Sequence, residues 1–269
     1  MNLLPTSLII ASRNRPKLLN DAIDSILNGN ELPKEIVIVD QSDTLHPSLA
    51  EIKNARGCEI CYQWSRSVGI SLARNIAFRM ARYDYLVLTD DDVTVTPNWL
   101  SELIQALERA GPKCVISGRV LISETSDNDF APSLITDEHP AVYQGRIWKD
   151  ALWTNNMAMH RSTVGEIGFF DERLGPGSAF PSAEDNDYGF RLLEAGYRIQ
   201  YWPSAFLYHR SWRSKKEYLP LRWKYGLGRG GFYAKHFTLR DLYNVRRMLG
   251  DVLSHFRALP YDFRRDRLS

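Results

Sequence analysis

The 269-residue chain has only three cysteines, Cys58, Cys61 and Cys114, too few for a disulfide framework. Cys58-x-x-Cys61 lacks the second pair that a zinc site needs, so it reads as strand packing. No apolar run reaches membrane-spanning length. The short run at the start lies between Pro5 and Arg13 and fits neither a signal peptide nor a span. The formal net charge is +2, which gives no global drive toward nucleic acid. No Gly-x-Gly-x-x-Gly follows the first apolar segment, which counts against a dinucleotide cofactor. Internal repeats and low-complexity linkers are missing as well. The expectation is a globular cytoplasmic protein. With 44% apolar and 25% charged residues, it suits one large α/β domain, or one domain plus a smaller C-terminal piece.

What the sequence does hold is an alternation of short apolar strands with helical patterns. Ser7–Ala11 reads as a strand and Ser12–Arg15 as a polar loop. Pro16 then suits the first turn of a helix bearing Leu19, Ile23, Ile26 and Leu27. Glu35–Val39 is a second strand, ending at Asp40. Strand, helix and strand predict a right-handed parallel crossover, whose ligands bind beyond the carboxyl ends of the strands. Ser12, Arg13, Asn14 and Asp40 fall there. Asp40 could bind a ribose hydroxyl or a base imino group, or serve as a turn residue. After a third strand, Glu59–Trp64, comes Gly69-Ile70-Ser71-Leu72-Ala73-Arg74-Asn75. Arg74 near a helix start opposes the helix dipole; a docked anion such as a diphosphate makes it sensible. Alone, such a residue is more commonly a solvated surface arginine.

The sequence is organised around Tyr85–Pro97. The strand Tyr85–Thr89 runs into Asp90, Asp91 and Asp92. Pro97 then opens an amphipathic helix carrying Trp99, Leu100, Leu103, Ile104 and Leu107. In extended geometry Asp90 and Asp92 share one side, and a divalent cation would relieve their repulsion. The plain alternative is an acidic turn in which one aspartate caps the following amides. Further on, Lys113–Val120, Trp153–Arg161 and Arg198–Trp202 read as strands. Leu121–Lys149 reads as a polar, mobile surface segment. The acidic start of the helix after Ser182 is explained in part by capping and the dipole.

The order strand–Ser12-Arg13-Asn14, strand–Asp40, Gly69–Asn75 and strand–Asp90-Asp91-Asp92-x(4)-Pro97 resembles the family-2 glycosyltransferases, from about Ser7 to His209. The resemblance implies a GT-A fold, an α/β architecture with a Rossmann-like, mostly parallel central sheet flanked by helices. It assigns Ser12, Arg13, Asn14, Asp40, Arg74, Asp90 and Asp91 to the nucleotide. Asp90 and Asp92, with His209 as in a subset of the family, would hold Mn²⁺ or Mg²⁺. Asn155-Asn156 stands where the family often has a Gly-Asn pair lining the donor-sugar pocket. Glu184-Asp185 matches the pair that supplies the catalytic base; Asp185 is the candidate and Asp187 the fallback, also considered for sugar or acceptor contact. The implied reaction is inverting transfer from a nucleotide-diphospho-sugar, UDP by default with GDP or dTDP open, to a hydroxyl of a glycan or lipid-linked acceptor.

On this reading residues 1–210 form the transferase domain, with a nucleotide and metal half (1–97) and an acceptor half (98–210). Residues 211–269 form a basic, aromatic, helical extension. Within it, Ser211–His236 is rich in glycine and positive charge. It could close over a diphosphate with Arg229 or Lys235, or form a surface hairpin. Leu239–Phe256 predicts an amphipathic helix whose Leu242, Val245, Leu249, Val252 and Phe256 pack on the core. Arg246, Arg247, Arg257, Arg264, Arg265 and Arg267 make the end basic and suited to peripheral contact with an anionic membrane. Two other classes use similar residues. A sugar nucleotidyltransferase usually begins with a Gly-rich phosphate loop, and Ser12–Arg15 has no glycine. A non-catalytic nucleotide-sugar-binding module would not need Asp185.

Overall fold

The computed structural model describes residues 2–123, 129–130, 133–211, 213–238 and 240–267. The first half alternates strands and helices: β1 (Asn2–Ser12), α1 (Pro16–Leu27), β2 (Glu31–Asp40), α2 (Pro47–Glu51), β3 (Asn54–Ala55), β4 (Cys58–Trp64), α3 (Ile70–Met80) and β5 (Tyr85–Asp90). Then follow β6 (Val93–Val95), α4 (Trp99–Ala110), β7 (Cys114–Ile122), β8 (Asp129–Phe130), β9 (Ala141–Gln144), β10 (Asn156–His160), α5 (Ser162–Ile167), α6 (Glu184–Glu194) and β11 (Arg198–His209). The chain ends with β12 (Arg213–Ser214), α7 (Tyr218–His236) and α8 (Leu242–Arg267).

The main sheet runs β3-β4-β2-β1-β5-β10-β7-β11-β6, with β9 also paired to β11. Strands β4, β2, β1 and β5 are parallel, as apolar strands separated by helices require. β10 runs antiparallel between β5 and β7. Helices cover both faces. Trp99, Leu103 and Leu107 of α4 join Leu19, Ile23 and Ile26 of α1 in one core; Ala73, Ala77 and Phe78 of α3 join Tyr188 and Leu192 of α6 in the other. Strands buried on both faces read as continuous apolar runs, as Ile36–Val39 does.

Cys58, Cys61 and Cys114 are all free, and burial pushes the Cys58 thiol up to about 12, consistent with inert packing. The segment 121–149 is not simply surface loop: β9 lies within it, although residues 124–128 and 131–132 fall outside the described set. β11 runs beyond the expected Arg198–Trp202 strand to His209, with a register shift between Trp202 and Phe206.

The extension differs more. The Gly-rich stretch is the 19-residue helix α7, neither loop nor hairpin. The C-terminal helix forms, but the expected apolar stripe does not pack on the core: Leu242, Leu249, Val252 and Phe256 are 64%, 52%, 47% and 65% exposed. Leu239 lies outside the described residues, as do the side chains of Arg264, Arg265 and Arg267.

Candidate active site

The parallel half aligns its strand ends. Ser12 sits opposite Asp40, Asp40 opposite Trp64, and Ala11 opposite Asp90, so all reach one edge of the sheet. At that edge the Asp triplet divides. Asp91 turns inward and is fully buried; it accepts a hydrogen bond from Ser12 Oγ at 2.6 Å and lies 2.8 Å from Arg15 Nη2. Burial pushes its carboxyl up to about 7, against the pull of Arg15 and Ser12.

Asp90 and Asp92 turn to the other side. The short strand β6 pairs antiparallel with β11 and puts Val93 opposite His209. One ligand atom each from Asp90, Asp92 and His209 then lie within 4.8 Å of one another. The His209 Nδ1–H donates to the Arg210 carbonyl, 3.1 Å away, which leaves Nε2 as the lone-pair nitrogen facing Asp92 Oδ1 at 3.6 Å. Two carboxylate oxygens and one imidazole nitrogen suit Mn²⁺ or Mg²⁺, with the nitrogen favouring Mn²⁺.

Arg74 is not a solvated arginine awaiting an anion. It is 3% exposed and its guanidinium lies 3.2 Å from Asp90, 3.2 Å from Glu184 and 3.6 Å from Asp185. The rest of its motif anchors the two halves of the fold. Gly69, at φ +134°, makes the turn into α3. Ser71 Oγ donates to the Leu174 carbonyl, and the Asn75 amide exchanges hydrogen bonds with the Phe170 backbone. Ala183, in the left-handed region at φ +71°, then starts α6 so that its first two carboxylates face Arg74.

Asp185 is also held by Thr154, whose hydroxyl donates to Oδ1 at 2.7 Å and whose amide donates to Oδ2 at 3.3 Å. Its side chain remains 26% exposed, against 10% for Glu184. Burial raises both carboxyls: Glu184 goes to about 7, with the Asp185 charge adding to the shift, while Arg74 and Thr154 restrain Asp185.

Several expected residues lie elsewhere in the network. Asp40 is buried and accepts from Ser42 and from the Tyr62 hydroxyl at 2.7 Å. Arg13 pairs with Asp43 at 3.7 Å, and Asn14 exchanges hydrogen bonds with Asp43, so both brace the rim of the cleft. Asn156 is not a pocket residue. Its amide donates to the Arg119 and Ala205 carbonyls and accepts from the Trp99 indole, fully buried at the β7–β11 register shift. A shifted ladder leaves carbonyls unpaired, and this side chain satisfies them. Asn155 differs: its buried Oδ1 has no hydrogen-bond partner among the described residues.

Asp187 points away from the cleft. It is fully buried and sits between Lys235 at 2.7 Å, His236 at 2.7 Å and Arg191 at 2.9 Å. Burial works against its charge, but these partners hold its carboxyl below the usual range. Lys235 is thus committed to Asp187 and Asp171, and Arg229 to Asp150 and Asp251, which corrects their reading as diphosphate partners.

Sequence reasoning passed over three residues. Arg15 reaches Asp91 and Asp92, and its place beside Ser12–Asn14 was a usable signal. Thr154, next to Asn155, was another. Tyr225 gave none: α7 brings it near Ser133 and the Glu184 and Asp185 carboxylates, and burial raises its phenol.

Comparison with known proteins identifies the family and the fold. The family model described as "Glycosyl transferase family 2" matches residues 7–172. The chain is 22% identical over 241 residues to the hyaluronan synthase of Pasteurella multocida, covering 76% of this chain and 24% of that one. It is 21% identical over 239 residues to the chondroitin synthase of Escherichia coli, covering 76% and 34%. It therefore spans about a quarter to a third of the length of these curated relatives. Among solved structures, the mannosyltransferase PcManGT from Pyrobaculum calidifontis, in complex with GDP-Man and Mn2+, superposes with a TM-score of 0.62 at 18% identity, over 88% of this chain and 64% of that one. GalNAc-T7 with UDP, GalNAc and Mn2+ gives 0.62 at 17% identity, over 80% and 45%. These neighbours share the GT-A fold. The matched model covers well over half of the chain, which belongs to glycosyl transferase family 2.

Proposed function

We propose that the chain transfers a sugar from a nucleotide-diphospho-sugar to a hydroxyl of a glycan or lipid-linked acceptor, with inversion and with Asp185 as general base. One observation carries the reading. Arg74 ties Asp90 of the candidate metal site to Glu184 and Asp185, so leaving-group and acceptor chemistry meet around one guanidinium. Two structural neighbours, each in complex with a nucleotide and Mn2+, support the donor class.

Asp90, Asp92 and His209 would hold the cation, which when bound supplies positive charge to the departing diphosphate. The residues divide the remaining work. Asp185 takes the proton of the acceptor hydroxyl as its oxygen bonds to the anomeric carbon and the bond from that carbon to the diphosphate oxygen breaks. Thr154 orients the Asp185 carboxylate. Glu184, less exposed, accepts a hydrogen bond from Arg74. Asn155 Oδ1 offers a buried acceptor for a sugar hydroxyl.

The test is a panel of UDP-, GDP- and dTDP-sugars with Mn²⁺ and candidate acceptors, following free nucleotide and the anomeric configuration of the product. Nucleoside diphosphate release with an inverted linkage is expected. Pyrophosphate formed from a nucleoside triphosphate and a sugar phosphate would replace this reading with nucleotidyl transfer; a retained configuration would reject single displacement.

A further inference from the structure

The two C-terminal helices turn an apolar face away from the protein. At about 100° per residue, Leu242, Leu249, Val252, Leu253 and Phe256 fall on an arc of about 100° along α8. They are 64%, 52%, 47%, 55% and 65% exposed. On the opposite arc Asn244 and Arg247 are buried, and Arg247 reaches Asp150 at 2.6 Å. α7 is built the same way. Gly228, Gly231 and Phe232 face inward, while Trp223 and Leu227 stand outward at 71% and 45% exposure. An apolar groove of about 1290 Å³ runs between the two helices. A contiguous surface of this kind marks a site of contact.

The charge of the sequence is divided along the same line. From Arg210 to Ser269 there are fifteen Lys and Arg against five Asp and Glu, a charge of +10; the first 209 residues hold 19 against 27, a charge of −8. Exposed Arg246 and Arg257 border the apolar arc, and Lys224 lines the groove beside Trp223. An apolar strip edged by positive charge complements hydrocarbon lying beneath anionic headgroups. No described helix is long and apolar enough to cross a membrane, so such contact lies in the plane of the surface.

We infer that the outer face of α7 and α8 docks on an anionic lipid bilayer, with Trp223 and the Leu242–Phe256 strip in the acyl boundary and the flanking arginines at the headgroups. The inner face of α7 meets Ser182, whose hydroxyl donates to the Lys224 and Tyr225 carbonyls, two residues before Glu184. Docking thereby sets the cleft beside the lipid surface. The inference stands whatever the transfer reaction turns out to be.

The full chain should be floated with vesicles of phosphatidylcholine alone and of phosphatidylcholine with about a third phosphatidylglycerol. Binding to the anionic vesicles should be tenfold or more tighter, about 1.4 kcal/mol or above, and should weaken in about 0.5 M salt. Leu249→Glu with Leu253→Glu should abolish it. Arg246→Glu with Arg257→Glu should lower it on anionic vesicles alone, with the melting temperature unchanged in both pairs. Three results overturn the inference: no flotation with anionic vesicles, flotation indifferent to both pairs, or a solution dimer that Leu253→Glu dissociates and that accounts for the apolar face.

Discussion

At Arg74 one guanidinium charge faces three carboxylates in a setting closed to most solvent. Three negative charges against one positive are unfavourable, and retaining a proton on one carboxyl relieves this. The Glu184–Asp185 pair holds that proton, with Glu184 raised from 4.5 to about 7. Folding then takes up a proton between these two values. The resulting stabilisation is complete below pH 4.5 and is lost as pH rises through about 7. In metal-free protein, Glu184→Gln, neutral at every pH, should flatten the decline of the melting temperature from about pH 5 to 8. A decline as steep as the wild type's would remove Glu184 as its source. Asp185, also raised, must be ionised to accept a proton. The acid limb of kcat/KM should therefore lie above the ordinary carboxylate range, as a property of the pair. Asp185→Asn should keep donor binding and lose on the order of 10²–10⁴ in kcat. Near-normal turnover would pass the role to Glu184, since Asp187 is already committed to Lys235, His236 and Arg191.

Among the elements, α7 shows how a misleading composition can be put to use. Each glycine inside a helix costs about 1 kcal/mol relative to alanine, so four within six residues argue for a loop. Two of the four allow a close approach. A Cβ on Gly228 would lie 2.0 Å from Ser182 Oγ and 2.5 Å from its carbonyl oxygen; one on Gly231 would lie 2.5 Å from the Phe180 ring. Gly226 and Gly230 have open space there. Gly228→Ala should push α7 off the loop that leads to Asp185. The net cost should be about 1–3 kcal/mol of stability, with activity reduced. Gly226→Ala should be neutral or stabilising by up to about 1 kcal/mol. Equal melting temperatures for the two variants would mean that α7 does not pack closely on Ser182.

Across the whole molecule, the candidate cation site joins distant parts of the chain. Asp90 ends β5, Asp92 lies in the turn after it, and His209 ends β11, the last strand of the main sheet in chain order. A nucleoside diphosphate and Mn²⁺ together should thus stabilise the fold more than either alone. At about a hundred times the dissociation constant the gain should be about 2.7 kcal/mol, read as a rise in melting temperature. Asp92→Ala should remove the joint effect and His209→Ala should weaken it. An unchanged melting temperature with both ligands present would count against a shared site.

The sequence by itself determined the parallel half of the sheet and the ends of its strands. There the side-chain pattern is local: runs such as Ile36–Val39 must be buried on both faces, and polar residues at their carboxyl ends must stop them. Ser12, Asp40 and Asp90 could be placed at one edge for that reason alone. Only the tertiary structure decided which carboxylate does what. Strand alternation already puts Asp90 and Asp92 on one side, yet it is the pairing of β6 with β11 that brings Asp92 to His209, while Ser12 and Arg15 hold Asp91 inward. Asn155 and Asn156 look alike until the β7–β11 register shift claims Asn156 to satisfy two carbonyls. The outward stripe on α8 was likewise undetermined, because periodicity shows that a helix has an apolar face but not what covers it. A side chain's partners across the fold fix its charge, its exposure and its direction, and those partners lie tens of residues away along the chain.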